Sequence, residues 1–220
     1  MATIKLNCDL AEGAGCEAAV LPFIDQANIA CAAHAGSRAL MQSTVELARQ
    51  HGVSIGAHPG YPDPENFGRE TMEASPEQIQ DWVSAQVNRL ADFAEVEFVK
   101  PHGALYHDMV ERPAVMSAIR EAIGGRPLMG PASFDTFEWP EAFADRRYQD
   151  DGTLLPRSET GAVLAGEETL AQAKQLMAGK TVTTATGRQL ELAAKTLCVH
   201  GDNAAGVSVI RAIRDMLDHG

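Results

Sequence analysis

The sequence predicts an α/β protein built as a single distorted β/α barrel, TIM-like in plan, with about seven strands. Three observations carry this. Short apolar runs alternate with amphipathic helical stretches, which builds right-handed βα units and a parallel sheet. No stretch has the composition of a linker, so residues 1–220 are expected to form one domain. The apolar runs also keep ending the same way, at His, Asp, Asn or Lys close to a glycine. In β/α barrels the chemistry sits where strands end. Asp9, His34, His58, Lys100, His102, His200 and Asp202 are therefore expected around one mouth.

In chain order, the first strand covers 3–9, with Asn7 and Asp9 on one face. A poor helix near Ala18–Asp25 is interrupted by Pro22. The second strand ends near Cys31, and His34-Ala35-Gly36 forms its loop. Ser37 caps the next helix, whose apolar stripe is Leu40, Met41, Thr44, Val45 and Ala48, and Gly52 stops it. Strand three runs 53–57 into His58-Pro59-Gly60. The loop at 59–68 is long enough to be a lid or binding loop. Ser75-Pro76-Glu77-Gln78 is a strong helix start, with an N-cap serine, Pro at the first helical position and Gln three residues after the cap.

Strand four is Phe98-Val99-Lys100-Pro101-His102, with Phe98, Lys100 and His102 expected on one face. A lysine in an apolar strand needs a partner or a task. A helix over 113–123 ends at Gly124-Gly125, and 127–130 is a short strand. Residues 131–160 carry Pro131, Pro140 and Pro156, which argue against long regular elements. They also hold a dense polar cluster that includes Glu141, Asp145, Arg146 and Arg157. A helix over 167–177, a hairpin formed by 181–184 and 189–192, a last strand over 196–200 and a final helix from near Asn203 complete the chain.

The chain carries 30 acids against 18 bases, a net charge of −12. That surface disfavours nucleic acid and anionic membrane, though a pocket can be locally cationic. No apolar run has transmembrane length and no signal-peptide pattern is present. The four cysteines form no CxxC pair and read as reduced thiols in a cytoplasmic protein.

Asp9, His34 and His58 have the chemistry of divalent-metal ligands, or they line a pocket as hydrogen-bonded polar groups. Lys100 suits an anionic ligand, or a structural ion pair with a glutamate inside the barrel. The helix N-terminus after Asp202 suits an anion, unless Asp202 or Asn203 is only its cap. Gly179-Lys180-Thr181 is not a phosphate loop, since Lys174 occupies the position that requires glycine and a helix precedes it. No GxSxG elbow is present.

Taken together, several segments resemble the LamB/YcsF family, which supplies the A component of bacterial ATP-dependent 5-oxoprolinase. They include Asn7-Cys8-Asp9-Leu10, His34-Ala35-Gly36, Gly56-Ala57-His58-Pro59-Gly60-Tyr61-Pro62-Asp63, Val99-Lys100-Pro101-His102-Gly103-Ala104-Leu105-Tyr106, Asp145-Arg146, Pro156-Arg157-Ser158 and Cys198-Val199-His200-Gly201-Asp202. The resemblance spans nearly the whole chain in family order. It implies a barrel of the glycoside hydrolase/deacetylase type. It also implies cleavage of 5-oxo-L-proline to L-glutamate driven by ATP with Mg2+, in a complex with B and C subunits. Self-association into a homo-oligomer is left open.

On this reading Asp9, His58, Lys100, His102 and His200 are the catalytic candidates. Asn7, His34, Tyr106, Glu141, Asp145, Arg146, Arg157 and Asp202 are the substrate- or phosphate-binding candidates. Ala11 and Ala32 stand where the family usually has glycine, Ala33 where it has Phe and Ser37 where it has Asp. Two other readings are a metal-dependent deacetylase or amidohydrolase acting without ATP, and a non-catalytic substrate-binding subunit.

Overall fold

In the computed structural model, which describes residues 4–201 and 204–219, the elements follow one another as βα units. β1 (Lys5–Leu10) is followed by α1 (Glu17–Val20) and a 3-10 turn at Leu21–Phe23, where Pro22 limits the expected helix. β2 (Gln26–Ala30) leads to α2 (Arg38–His51), where Ser37 Oγ accepts from Leu40 N and Gly52 closes the helix at φ +66°. β3 (Ser54–His58) is followed by the loop and then α3 (Pro76–Ala91), whose Ser75/Gln78 capping box forms in both directions. Next come β4 (Phe98–Val99), α4 (Gly103–Glu111) and α5 (Pro113–Ala122). β5 (Met129–Pro131), β6 (Trp139–Phe143) and α6 (Glu167–Gly179) follow. The hairpin β7 (Thr181–Thr183) and β8 (Gln189–Glu191), β9 (Thr196–Cys198) and α7 (Ala204–His219) end the chain.

Seven strands form one parallel sheet in the order β4-β3-β2-β1-β9-β6-β5. Its two edges meet. Val99 bridges Leu128 in parallel, and Val99 N donates to Pro127 O at 2.9 Å. The sheet is therefore a nearly closed barrel, with its strand ends gathered at one mouth.

Side chains alternate along β1. Leu6, Cys8 and Leu10 are buried among the apolar core residues. Asn7 and Asp9 point the other way, into a polar interior. There Asn28 Nδ2 donates to Asn7 Oδ1 and Asp9 Oδ1, Asn7 Nδ2 donates to Thr196 Oγ1, and Thr196 Oγ1 donates to Gln26 Oε1. Each buried Leu, Ile or Val in the apolar layer contributes roughly 1.5–3 kcal/mol, which offsets the cost of ordering this polar floor.

Two stretches differ from the expectation. Strand four stops after Val99, because Pro101 has no N–H and Gly103 turns into α4 at φ +54°. The backbone still tracks β3: Lys100 N donates to Ala57 O and His102 N to Pro59 O, at 2.9 and 2.8 Å. β6 forms through Pro140, in the stretch where the prolines argue against long regular elements, and is only 5 residues long. Proline is tolerated near a strand start, and the Pro140 carbonyl still accepts from Lys195 N at 2.8 Å.

Candidate active site

Lys100 is buried at the mouth between two carboxylates. Its Nζ lies 2.8 Å from Asp9 Oδ1 and 2.9 Å from Glu141 Oε1, and 3.3 Å from Cys198 Sγ. Burial by itself would lower the lysine, but Asp9, Cys198 and Glu141 outweigh it and raise its pKa well above the ordinary value. Lys100 is thus a charged, fully answered cation. Tyr106 donates its hydroxyl to the other Glu141 oxygen at 3.1 Å. Burial raises the Glu141 carboxyl despite Lys100.

Beside this triad stand three histidines and Glu12. His58 Nδ1 lies 2.7 Å from the Lys100 carbonyl, and His102 Nε2 lies 2.9 Å from the Phe67 carbonyl. A carbonyl only accepts, so each of those nitrogens carries the proton. The other nitrogens, His58 Nε2 and His102 Nδ1, face each other at 3.0 Å. Glu12 Oε1 lies 3.1 Å from His102 Nδ1, 3.3 Å from His34 Nε2 and 3.7 Å from His58 Nε2. The His34 ring stacks on His102 at 3.9 Å, and its Nδ1 is buried without a partner. Burial lowers His34 to about 4 and also lowers His102, so both are neutral imidazoles near pH 7.

His200 forms the opposite wall. Asp145 Oδ2 accepts from His200 N at 2.9 Å and lies 2.8 Å from His200 Nδ1. Nε2 is left toward the cavity, 3.6 Å from Asp9 Oδ2 and 3.4 Å from Arg157 Nη2. Burial by itself would lower the histidine, but the Asp145 charge and hydrogen bond outweigh it and raise the pKa.

Asp9, Glu12, His58, Lys100, His102 and His200 line a cavity of about 640 Å³ whose wall also includes Arg69, Arg146, Arg157, Ser133 and Phe134. The cavity therefore pairs an acidic and imidazole floor with a cationic side.

The LamB/YcsF family model matches residues 4–128 and 132–220. The chain belongs to the LamB/YcsF family. It is 43% identical to the second of the 5-oxoprolinase A subunits of Pseudomonas putida, over 98% of this chain and 94% of that protein. It is 42% identical to the 5-oxoprolinase A subunit of Vibrio campbellii, over 97% of this chain and 95% of that protein. The crystal structure of a lactam utilization protein from Thermus thermophilus superposes with a TM-score of 0.88 at 32% identity, covering 99% of this chain and 96% of that one. A family 4 carbohydrate esterase from Streptomyces lividans shares the fold, with a TM-score of 0.52 at 12% identity, covering 99% and 88% of the two chains.

In this LamB/YcsF chain the five catalytic candidates, Asp9, His58, Lys100, His102 and His200, all line the cavity, as do Tyr106, Glu141, Arg146 and Arg157. Asn7 lies beneath it, in the polar floor, and Asp145 stands behind His200. His34 lies behind His102. Asp202 and Asn203 lie outside the described residues. The expected ligand set of Asp9, His34 and His58 is rearranged. His34 and His58 converge with Glu12 and His102, whereas the Asp9 donor groups with Cys198 and His200. Glu12 is the residue that sequence reasoning passed over. Its signal was an acid three places after Asp9, in the turn that ends at Gly13.

Proposed function

We propose that this chain is the A component of a multi-subunit 5-oxoprolinase and opens 5-oxo-L-proline to L-glutamate, with ATP consumed in an assembly with B and C subunits. The observation that carries the reading is the near-full-length match to relatives named as 5-oxoprolinase A subunits. The cavity supports it chemically. The substrate is a five-membered cyclic amide with one carboxylate, and Arg146 and Arg157 suit that carboxylate. Ser133 Oγ, buried without a partner on the same wall, offers a further hydrogen bond.

His200 is the base. Water adds to the lactam carbonyl carbon as His200 Nε2 takes its proton, and Asp145 holds the imidazole and stabilises the imidazolium. The carbon–nitrogen bond then breaks and the proton passes from His200 to the leaving nitrogen, which opens the ring. ATP, with its Mg2+, would drive this uphill opening by passing its terminal phosphoryl group to the lactam oxygen; ring opening then leaves an acyl phosphate, which a second water cleaves to glutamate and inorganic phosphate, with ADP as the other product. Among the described residues, Arg69, Arg146 and Arg157 fit the negative charge of a phosphoryl group, whereas Lys100 is already answered by two carboxylates. We place the chain in the cytoplasm, in keeping with four cysteines that form no disulfide and with no described helix long and apolar enough to cross a membrane.

The test is glutamate and ADP formation from 5-oxo-L-proline and ATP, with this chain alone and with B and C subunits. Coupled formation of both products by the assembled enzyme, lost in His200→Asn, is expected. An assembly that makes no glutamate sinks the proposal. The histidine cluster favours a second reading, a metal-dependent amidohydrolase, which turnover without ATP would support.

A further inference from the structure

His58 Nε2 and His102 Nδ1 face each other at 3.0 Å, and the proton of each ring is committed to a carbonyl on its far side. Two imidazole lone pairs at that distance repel unless something positive lies between them. A proton would bridge only two atoms. Here three donor atoms, one each from Glu12, His58 and His102, lie together, while the His34 ring runs parallel to His102 at 3.9 Å and cannot aim at the same point.

The spacing is that of a coordination shell. A tetrahedral ion with bonds of about 2.1 Å has ligand–ligand edges of about 3.4 Å. The separations are 3.0 Å for His58–His102, 3.1 Å for Glu12–His102 and 3.7 Å for Glu12–His58. The supports are those of metal-bound histidine, with the outer nitrogen of His58 and of His102 held by a backbone carbonyl.

We infer that Glu12, His58 and His102 form the protein donors of a binding site for one divalent transition-metal ion of the zinc class, with His34 stacked behind His102 and outside the shell. Two imidazoles and a carboxylate, with a fourth position open to the cavity, suit zinc, cobalt or manganese better than calcium or magnesium, which prefer all-oxygen shells. Glu12, His58 and His102 line the cavity, so the site opens onto it. Bound there, the ion would present a Lewis acid to a carbonyl entering the cavity. The site holds under either functional reading, and its test uses neither lactam nor ATP.

The experiment is metal analysis of the purified full chain, followed by chelation and titration with Co2+. The expected result is one ion per chain and the visible d–d absorption of a four-coordinate cobalt centre. Glu12→Gln and His102→Gln should each weaken Co2+ binding by more than about tenfold, with circular dichroism unchanged. His51→Gln, on the exposed end of α2, should bind like the parent. The inference is overturned if natively folded protein takes up no stoichiometric Co2+, or if both cluster variants bind it unchanged. A thiolate–cobalt charge-transfer band abolished by Cys198→Ser would move the ion to the Asp9, Cys198 and His200 donors and overturn it too.

Discussion

Lys100 Nζ lies 2.8 Å from Asp9 Oδ1, a pair that joins the end of β4 to the end of β1 across the barrel mouth. β2 and β3 stand between those strands in the sheet, so the contact crosses the barrel rather than following its wall. Glu141 on β6 answers the same cation from a third direction. Removing one partner from a buried ion pair leaves the others uncompensated, which costs about 3–5 kcal/mol. Lys100→Met should lose that much stability in urea unfolding. Adding Glu141→Gln should restore part of it, because one of the two stranded carboxylates is then neutral. Equal stabilities for the single variant and the parent would show that the triad contributes nothing to the fold.

The Asp145–His200 pair sets a pH window. The His200 pKa is raised in the folded chain, so its contribution is full below the ordinary value of about 6.5 and fades as pH rises through the folded value. The Asp145 pKa is lowered: burial alone would raise it, but His200 outweighs burial. Its contribution is full above the ordinary carboxylate value of about 3.9 and fades as pH falls through the folded value. The stability gap between the parent and Asp145→Asn should therefore be widest between about pH 4 and 6.5, narrowing on both sides. If His200 is the base, the alkaline rise in turnover should also move to lower pH in Asp145→Asn. A gap that stays constant from pH 4 to 9 would remove this account.

Ala11 and Ala32 adopt left-handed backbone at φ +62° and +54°, at positions where the resemblance puts glycine. Such a conformation costs an alanine roughly 1–2 kcal/mol, and glycine relieves it at an unfolded-state cost of about 0.4–1 kcal/mol. Ala32 is only partly buried, so Ala32→Gly should stabilise by about 0.5–1 kcal/mol, or roughly 1–4 °C in Tm. Ala11 is fully buried, and losing its methyl group forfeits about 0.8 kcal/mol. Ala11→Gly should therefore be close to neutral. Calorimetry on the two variants separates strain from burial, and a lower Tm for Ala32→Gly would refute the strain argument.

Gly103 begins α4 at φ +54°, and a Cβ there would lie 2.4 Å from the Gly68 carbonyl oxygen. That oxygen accepts from Ala104 N, and the neighbouring Phe67 carbonyl holds His102. Gly103→Ala must displace backbone as well as adopt a strained φ, so a loss of about 2 kcal/mol or more is expected. Denaturant midpoints measure it, and an unchanged midpoint would mean the loop yields freely.

Much of the site was legible because its residues end apolar runs. Parallel βα units bring every strand end to one side, so Asp9, His58, Lys100, His102 and His200 meet although they are far apart in sequence. Glu12 was not legible, since it reaches the histidines only from the turn in which Ala11 takes a left-handed conformation. β6 was obscured by Pro140, which looks like a breaker until its carbonyl is seen holding Lys195 N. The closure of the barrel rests on the Val99–Leu128 bridge between two short edge strands, which periodicity cannot register.

The sequence by itself determined the βα alternation, the helix caps at Ser37 and Ser75, and that Asp9, His58, Lys100, His102 and His200 would stand at the ends of apolar runs. Those are local matters of spacing, propensity and capping. Only the tertiary structure decided the partners: Lys100 with Asp9 and Glu141, His200 with Asp145, and Glu12 with three histidines. The reason is physical. A buried charge pairs with whatever opposite charge the closed barrel brings within about 3 Å, and that depends on strand order and register rather than on neighbours along the chain.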